Sequence, residues 1–270
     1  MNDIDPSLDP PKVVAEPVVP DRGPSLAHLP DNRRLIVRRT LLASALRSFL
    51  PVPGMDESLA GKIGAGLYVK LAASRNVDLP PESAAILGRG EIGPSSTVMK
   101  VMSAASMLAR FAGRKVLALL AAGRGATEMA KEYQSAILFD HYCARFHVGG
   151  ALPPEKAKAL RAAIDHTVAR LSRDALTRAF QEGSSTLGRT LLESPRWLAN
   201  ELSTLAERFV RSGGNPDVAE SMGETFREGE AAWLDRATGV VEESLSRLGE
   251  NHLESLVRAF ESRIPSMRED

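Results

Sequence analysis

The chain has 270 residues, 43% of them hydrophobic and 25% charged, which is enough to bury a core and ordinary for a water-exposed fold. Net charge is zero and only 5% of residues are aromatic, so any core is built mainly from aliphatic side chains and alanine. The single cysteine, Cys143, excludes an internal disulfide framework and fits a reducing compartment.

The charge is unevenly placed. Residues 1–32 carry 2 Lys/Arg against 6 Asp/Glu, residues 33–124 carry 14 against 5, and residues 125–270 carry 18 against 23. A basic centre between acidic ends points to an anionic partner surface or to internal masking. No secretory pattern precedes it, and no window of about 18 apolar residues is free of charge, so a cytoplasmic protein is expected.

Residues 1–31 hold seven prolines with acids between them and no apolar period, which reads as a disordered, extended tail. Asp31 and Asn32 are placed to cap a helix over 33–50. Leu35, Leu42, Leu46 and Phe49 form its apolar stripe, flanked by Arg38 and Arg39. Arginines beside such a seam suit an interfacial helix, or a core helix whose border arginines meet acids elsewhere. Pro51-Val52-Pro53-Gly54 stops this helix, and Asp56 caps the next. That second helix contains Gly61, Gly64 and Gly66, each costing roughly 1 kcal/mol relative to alanine. Close backbone approach within a tight αα-hairpin is the expected return.

Pro80 and Pro81 open a short helix ending near Gly88. A long Ala/Met-rich helix follows over 96–123, carrying Lys100, Arg110, Arg114 and Lys115. Helix resumes over 127–147 and breaks at Gly149-Gly150; another runs from Pro153-Pro154-Glu155 to about Glu182. Gly183, Pro195, Gly213-Gly214 and Gly249 punctuate the remainder. Leu234, Val241, Leu245 and Leu248 make a heptad-like seam, continued by Leu253, Leu256 and Phe260. No segment alternates β-branched residues, so the chain is expected to be an all-α multi-helix bundle built on the Gly/Ala-rich hairpin. Three regions are expected: the tail at 1–31, a basic apolar hairpin domain at 32–150, and an amphipathic region at 151–270.

Two patterns resemble chemistry. Gly88-Arg89-Gly90-Glu91-Ile92-Gly93 matches G-x-G-x-x-G, but no strand precedes it and no acid follows at the required distance, so a Gly-rich linker explains it better. Asp140, Cys143 and His147 stand at i, i+3 and i+7, which places a carboxylate, a thiol and an imidazole on one helix face as candidate metal ligands. The other reading of that face is helix packing with hydrogen bonds. His28, His141, His166 and His252 show no matching spacing. No hydrolase, P-loop or zinc-protease motif is present, and no cofactor is expected. The basic centre lacks an aromatic platform, which argues against nucleic acid.

An apolar helix, then Pro51-Val52-Pro53-Gly54, then Asp56 and a Gly-rich helix ending near Arg75 resembles the EcsC/YcjF type of bacterial helical domain over residues 33–150. The resemblance implies a non-enzymatic module at membranes or beside a GTPase; Lys and Arg in the second hairpin depart from the pattern. The functional expectation is an interaction module in the cytoplasm or at the inner membrane face. It binds an anionic membrane surface or a protein partner through Arg33, Arg34, Arg38, Arg39, Arg47, Lys100, Arg110, Arg114 and Lys115. The alternative is a scaffold that dimerises through its C-terminal helices; less favoured is a metal protein or enzyme using Asp140, Cys143 and His147.

Overall fold

The computed structural model describes residues 26–49, 55–88, 124–147, 150–193, 232–249 and 251–264. Among them the chain is all-α. Helices α1 (Leu29–Phe49), α2 (Met55–Ser74) and α3 (Pro81–Leu87) are followed by α4 (Arg124–Arg145). Then come α5 (Pro154–Arg170), α6 (Asp174–Glu193), α7 (Ala232–Arg247) and α8 (Asn251–Glu261). The one extended pairing among the described residues is a parallel bridge between Asp78 and Ala151.

Helix α4 is the hub, packing against α1, α2, α5, α6 and α8. Every residue of 133–143 is buried, so this helix has no solvent face along that run. A helix surrounded on all sides is normally apolar all round. Here it carries Gln134, Ser135, Asp140 and His141 inside, and each such group needs a partner or costs desolvation. Around the hub, α7 covers α1 and α6, α3 packs on α2 and α5, and α8 lies on α4 and α5. One apolar core draws residues from both sides of position 150, from Ile36 and Leu71 to Val241 and Phe260.

Several boundaries differ from the sequence expectation. Helix α1 begins at Leu29 rather than Arg33, so Asp31 and Asn32 lie in its first turn and are not its cap. Residues 26–31, expected to belong to the tail, form the turn and helix start, with the Leu29 amide donating to the Leu26 carbonyl at 3.0 Å. The rest of the expected tail lies outside the described residues. Leu35 is only partly buried, and the buried face of α1 comprises Ile36, Val37, Leu41 and Leu42. The single helix expected from Pro153 to Glu182 is two. Leu171 turns extended, at φ −99 and ψ 143. The Ser172 hydroxyl then donates to the Asp174 carboxylate at 3.2 Å where α6 begins, where an acid also suits the positive helix end.

The ends of the hairpin follow local chemistry. Asn76 adopts φ 56 just past α2, and the Val77 amide donates to the Ala72 carbonyl at 2.9 Å, the usual way of closing a helix with a left-handed residue. Helix α2 packs against α1 as expected. Pro51, Pro53, Gly54 and the side chain of Asp56 lie outside the described residues, as does the packing around Gly61. Gly64 corrects the expected use of the glycines. A Cβ there would sit 3.1 Å from the Gly88 carbonyl oxygen and 3.3 Å from Gly88 Cα. Its close approach is therefore to the end of α3, not to α1. Gly64→Leu is expected to destabilise by about 1–3 kcal/mol, because backbone cannot yield as a side-chain tip does. Denaturant unfolding checks this, and an unchanged midpoint sinks it.

Gly183 is not punctuation either. It sits inside α6, where a Cβ would come within 2.3 Å of Val241 Cγ2, so glycine sets how closely α6 and α7 meet.

Candidate functional site

The start of α1, the end of α2, the middle of α4 and the end of α8 meet around a buried polar junction. Its anchor is Asp140, fully buried in α4. Arg75, just past α2, grips it with a fork: Nε donates to Oδ1 and Nη2 to Oδ2, both at 2.9 Å. Such bidentate, charge-assisted pairs are strong and fix orientation. Asn32 Nδ2 donates to Asp140 Oδ1 at 2.7 Å and to Ser74 Oγ at 2.9 Å, and Ser74 donates on to the Leu71 carbonyl at 2.8 Å. Arg75 also reaches α1, through Asp31 at 3.1 Å and the His28 carbonyl at 2.7 Å. Its hydrogen bond with Asp140 raises the guanidinium pKa above its ordinary value.

Beside this ion pair runs a chain of three titratable groups. His28 Nε2 lies 3.1 Å from His141 Nδ1, and His141 Nε2 lies 2.9 Å from Glu261 Oε1. The two imidazole centroids are 5.0 Å apart, and the Phe146 ring stands edge-on to His141 at 5.8 Å. An ionised carboxylate only accepts, so His141 places its N–H on Nε2 and leaves Nδ1 as acceptor. His28 must then donate from Nε2. Burial lowers the pKa of both rings, for His141 outweighing the Glu261 hydrogen bond, so both favour the neutral form.

The proposed metal face does not assemble. Asp140 spends its carboxylate on Arg75 and Asn32, Cys143 is buried, and His147 Nε2 turns to the Gly150 carbonyl at 3.3 Å. Burial pushes the Cys143 thiol pKa up, which keeps it protonated and a poor ligand. Among the described residues no group of three His, Cys, Asp or Glu side chains is placed to hold a metal ion. Helical spacing put the three on one face of a helix expected to run to position 147; α4 ends at Arg145, so His147 lies beyond it while Asp140 and Cys143 are enclosed in the hub.

The arginines of α1 are drawn inward or across to α7. Arg34, although 60% exposed, pairs with Glu242 at 3.3 Å and Asp235 at 3.5 Å; Arg38 reaches Asp235 at 3.9 Å. Burial pushes the Tyr133 hydroxyl pKa up to about 12, with the nearby positive charge of Arg33 opposing the rise. Arg39 is buried. For Arg34 and Arg38 this is the core-helix reading, with arginines met by acids of α7. The side chain of Arg47, and Lys100, Arg110, Arg114 and Lys115, lie outside the described residues. No helix among those residues is long and apolar enough to cross a membrane.

Sequence reasoning missed His28, Asn32, Arg75, His141 and Glu261. One signal was available: Leu29-Pro30-Asp31 places a proline and an acid in a first helical turn, a start signal that would have moved His28 out of the tail. Compared with known proteins, the chain matches no family model, no curated protein and no solved structure.

Proposed function

We propose that the chain is a non-enzymatic helical module that binds an anionic membrane surface through the cation-rich stretch at 89–123. The observation that carries this reading is where the positive charge goes. The acids of α7 meet Arg34 and Arg38, so the α1 end of the basic centre is balanced within the fold. Residues 89–123 contain five cations, Arg89, Lys100, Arg110, Arg114 and Lys115, against one acid, Glu91, set among Ala, Val, Leu and Met. Apolar residues between cations suit a headgroup boundary, where charge and shallow apolar burial add. The EcsC/YcjF resemblance supports a membrane-proximal setting and makes a GTPase the alternative partner. Dimerisation through the C-terminal seam loses support, because Leu234, Val241, Leu245, Leu253, Leu256 and Phe260 are buried within the chain's own core.

Sedimentation with phosphatidylserine-containing and neutral vesicles tests the reading. Binding is expected only to the anionic vesicles and to weaken with salt, with each surface cation contributing about 1 kcal/mol. Replacing Lys100, Arg110, Arg114 and Lys115 together by alanine is expected to abolish it. Equal binding to both vesicle types, or to neither at low salt, overturns the proposal.

A further inference from the structure

We propose that His28, His141 and Glu261 form a proton-operated latch, which fastens the turn at residues 26–28 to α4 and α8 and releases it when a second proton enters the histidine pair. Two ring nitrogens 3.1 Å apart have room for one proton between them. In the neutral pair that proton belongs to His28 Nε2, and the other belongs to His141 Nε2, directed at Glu261. One added proton is accommodated: His28 takes it on Nδ1, and the N–H···N contact survives. A further proton puts N–H groups on both facing nitrogens, and the rings must part.

The surrounding charges favour that order. Facing the pair are Asp31 from α1, Arg75 from the end of α2, Asp140 and Arg145 from α4, and Glu261 from α8. Asp31 and Asp140 are already engaged by Arg75. Once His28 carries the added proton on Nδ1, its Nε2 proton can pass to His141 Nδ1, which places the one positive charge on the ring that Glu261 bonds. A second would meet the repulsion of Arg75 and Arg145, and among the described residues no further carboxylate hydrogen-bonds either ring. His141 is fully enclosed, so the ring that moves is half-buried His28. With it goes the turn that joins α1 to the preceding chain. Leu29 remains buried and Arg75 still holds the His28 carbonyl, so the release is local.

The sign of the pH effect follows from the lowered folded-state pKa values. The unfolded chain takes up protons first, near the ordinary histidine value of 6.5. The latch's contribution is therefore complete above that pH and is lost as pH falls below it, through the folded values.

Amide hydrogen exchange on the full chain at about pH 7.5 and about pH 5, corrected for intrinsic rates, reads the latch directly. The Leu29 amide, which donates to the Leu26 carbonyl, is expected to lose about tenfold or more of its protection at the lower pH. Ile137 and Phe139 in the hub are expected to keep theirs. In His28→Gln the amide Nε2 still donates to His141 without titrating, and the loss is expected to vanish. Equal protection of the turn at both pH values in the native chain, or the same loss in His28→Gln, overturns the latch. Nitrogen-15 imidazole spectra of the native chain supply a second measurement: both rings are expected to carry their proton on Nε2 at neutral pH. A proton on Nδ1 of either ring also overturns it.

Discussion

Arg75→Met is expected to lower the free energy of unfolding by about 3–5 kcal/mol, the usual cost of stranding one member of a buried ion pair. Asp140 is fully enclosed, while the Arg75 side chain is 15% exposed, so removing Arg75 leaves the more deeply buried charge uncompensated. Asn32 would remain as a single neutral donor to that carboxylate. The same substitution severs the contacts with Asp31 and the His28 carbonyl, which tie α1 to the end of α2. Arg75→Lys keeps the charge but loses the two-pronged geometry, and an intermediate loss is expected. Asp140→Asn, added to Arg75→Met, is expected to recover part of the loss by removing the orphaned charge. Urea unfolding with unchanged slope measures all three, and a loss below about 1 kcal/mol for Arg75→Met would falsify the account.

The second large effect is expected at Phe139. This side chain is fully buried in the hub helix and meets the Tyr68 ring edge-on, with centroids 4.9 Å apart. Phe139→Ala is expected to cost about 3–5 kcal/mol, from lost transfer energy and from a cavity that surrounding helices cannot collapse around. Helix α4 is held by five neighbours, so moving it to fill a void at one of them disturbs the others. Phe139→Leu keeps most of the volume and should cost no more than about 1.5 kcal/mol. Similar losses for the two substitutions would show that the site relaxes freely and that α4 is not a rigid centre.

Much of the fold was legible from local chemistry. Pro80-Pro81 and Gly88 bracket α3, Gly249 at φ 73 separates α7 from α8, and Leu160, Ile164 and Val168 mark the buried face of α5. These features depend on residues a few positions apart. The junction was not legible, because its members are far apart in sequence: Asn32 and Asp140 are separated by 108 residues, and His141 and Glu261 by 120. Periodicity also loses its meaning in α4. A stripe identifies a buried face only when another face meets water, and residues 133–143 have none. The i, i+3, i+7 spacing of Asp140, Cys143 and His147 also assumed helix through position 147, whereas α4 ends at Arg145. The division of α5 from α6 was hidden by continuous apolar spacing across Leu171 and Leu176, with Ser172 and Asp174 the only local sign of a break.

The pairing of α1 with α7 also has a consequence for how the chain is born. Arg34 meets its partners 201 and 208 residues downstream. At a synthesis rate of about 5–20 residues per second, α1 leaves the ribosome roughly 10–40 s before the helix that covers it. Through that interval its arginines and the apolar surface destined for α7 face the cell uncovered. The nascent chain is then more basic and stickier than the finished protein. A ribosome stalled before residue 232 should display an α1 that chaperones bind and proteases cut, and completion of α7 should end both.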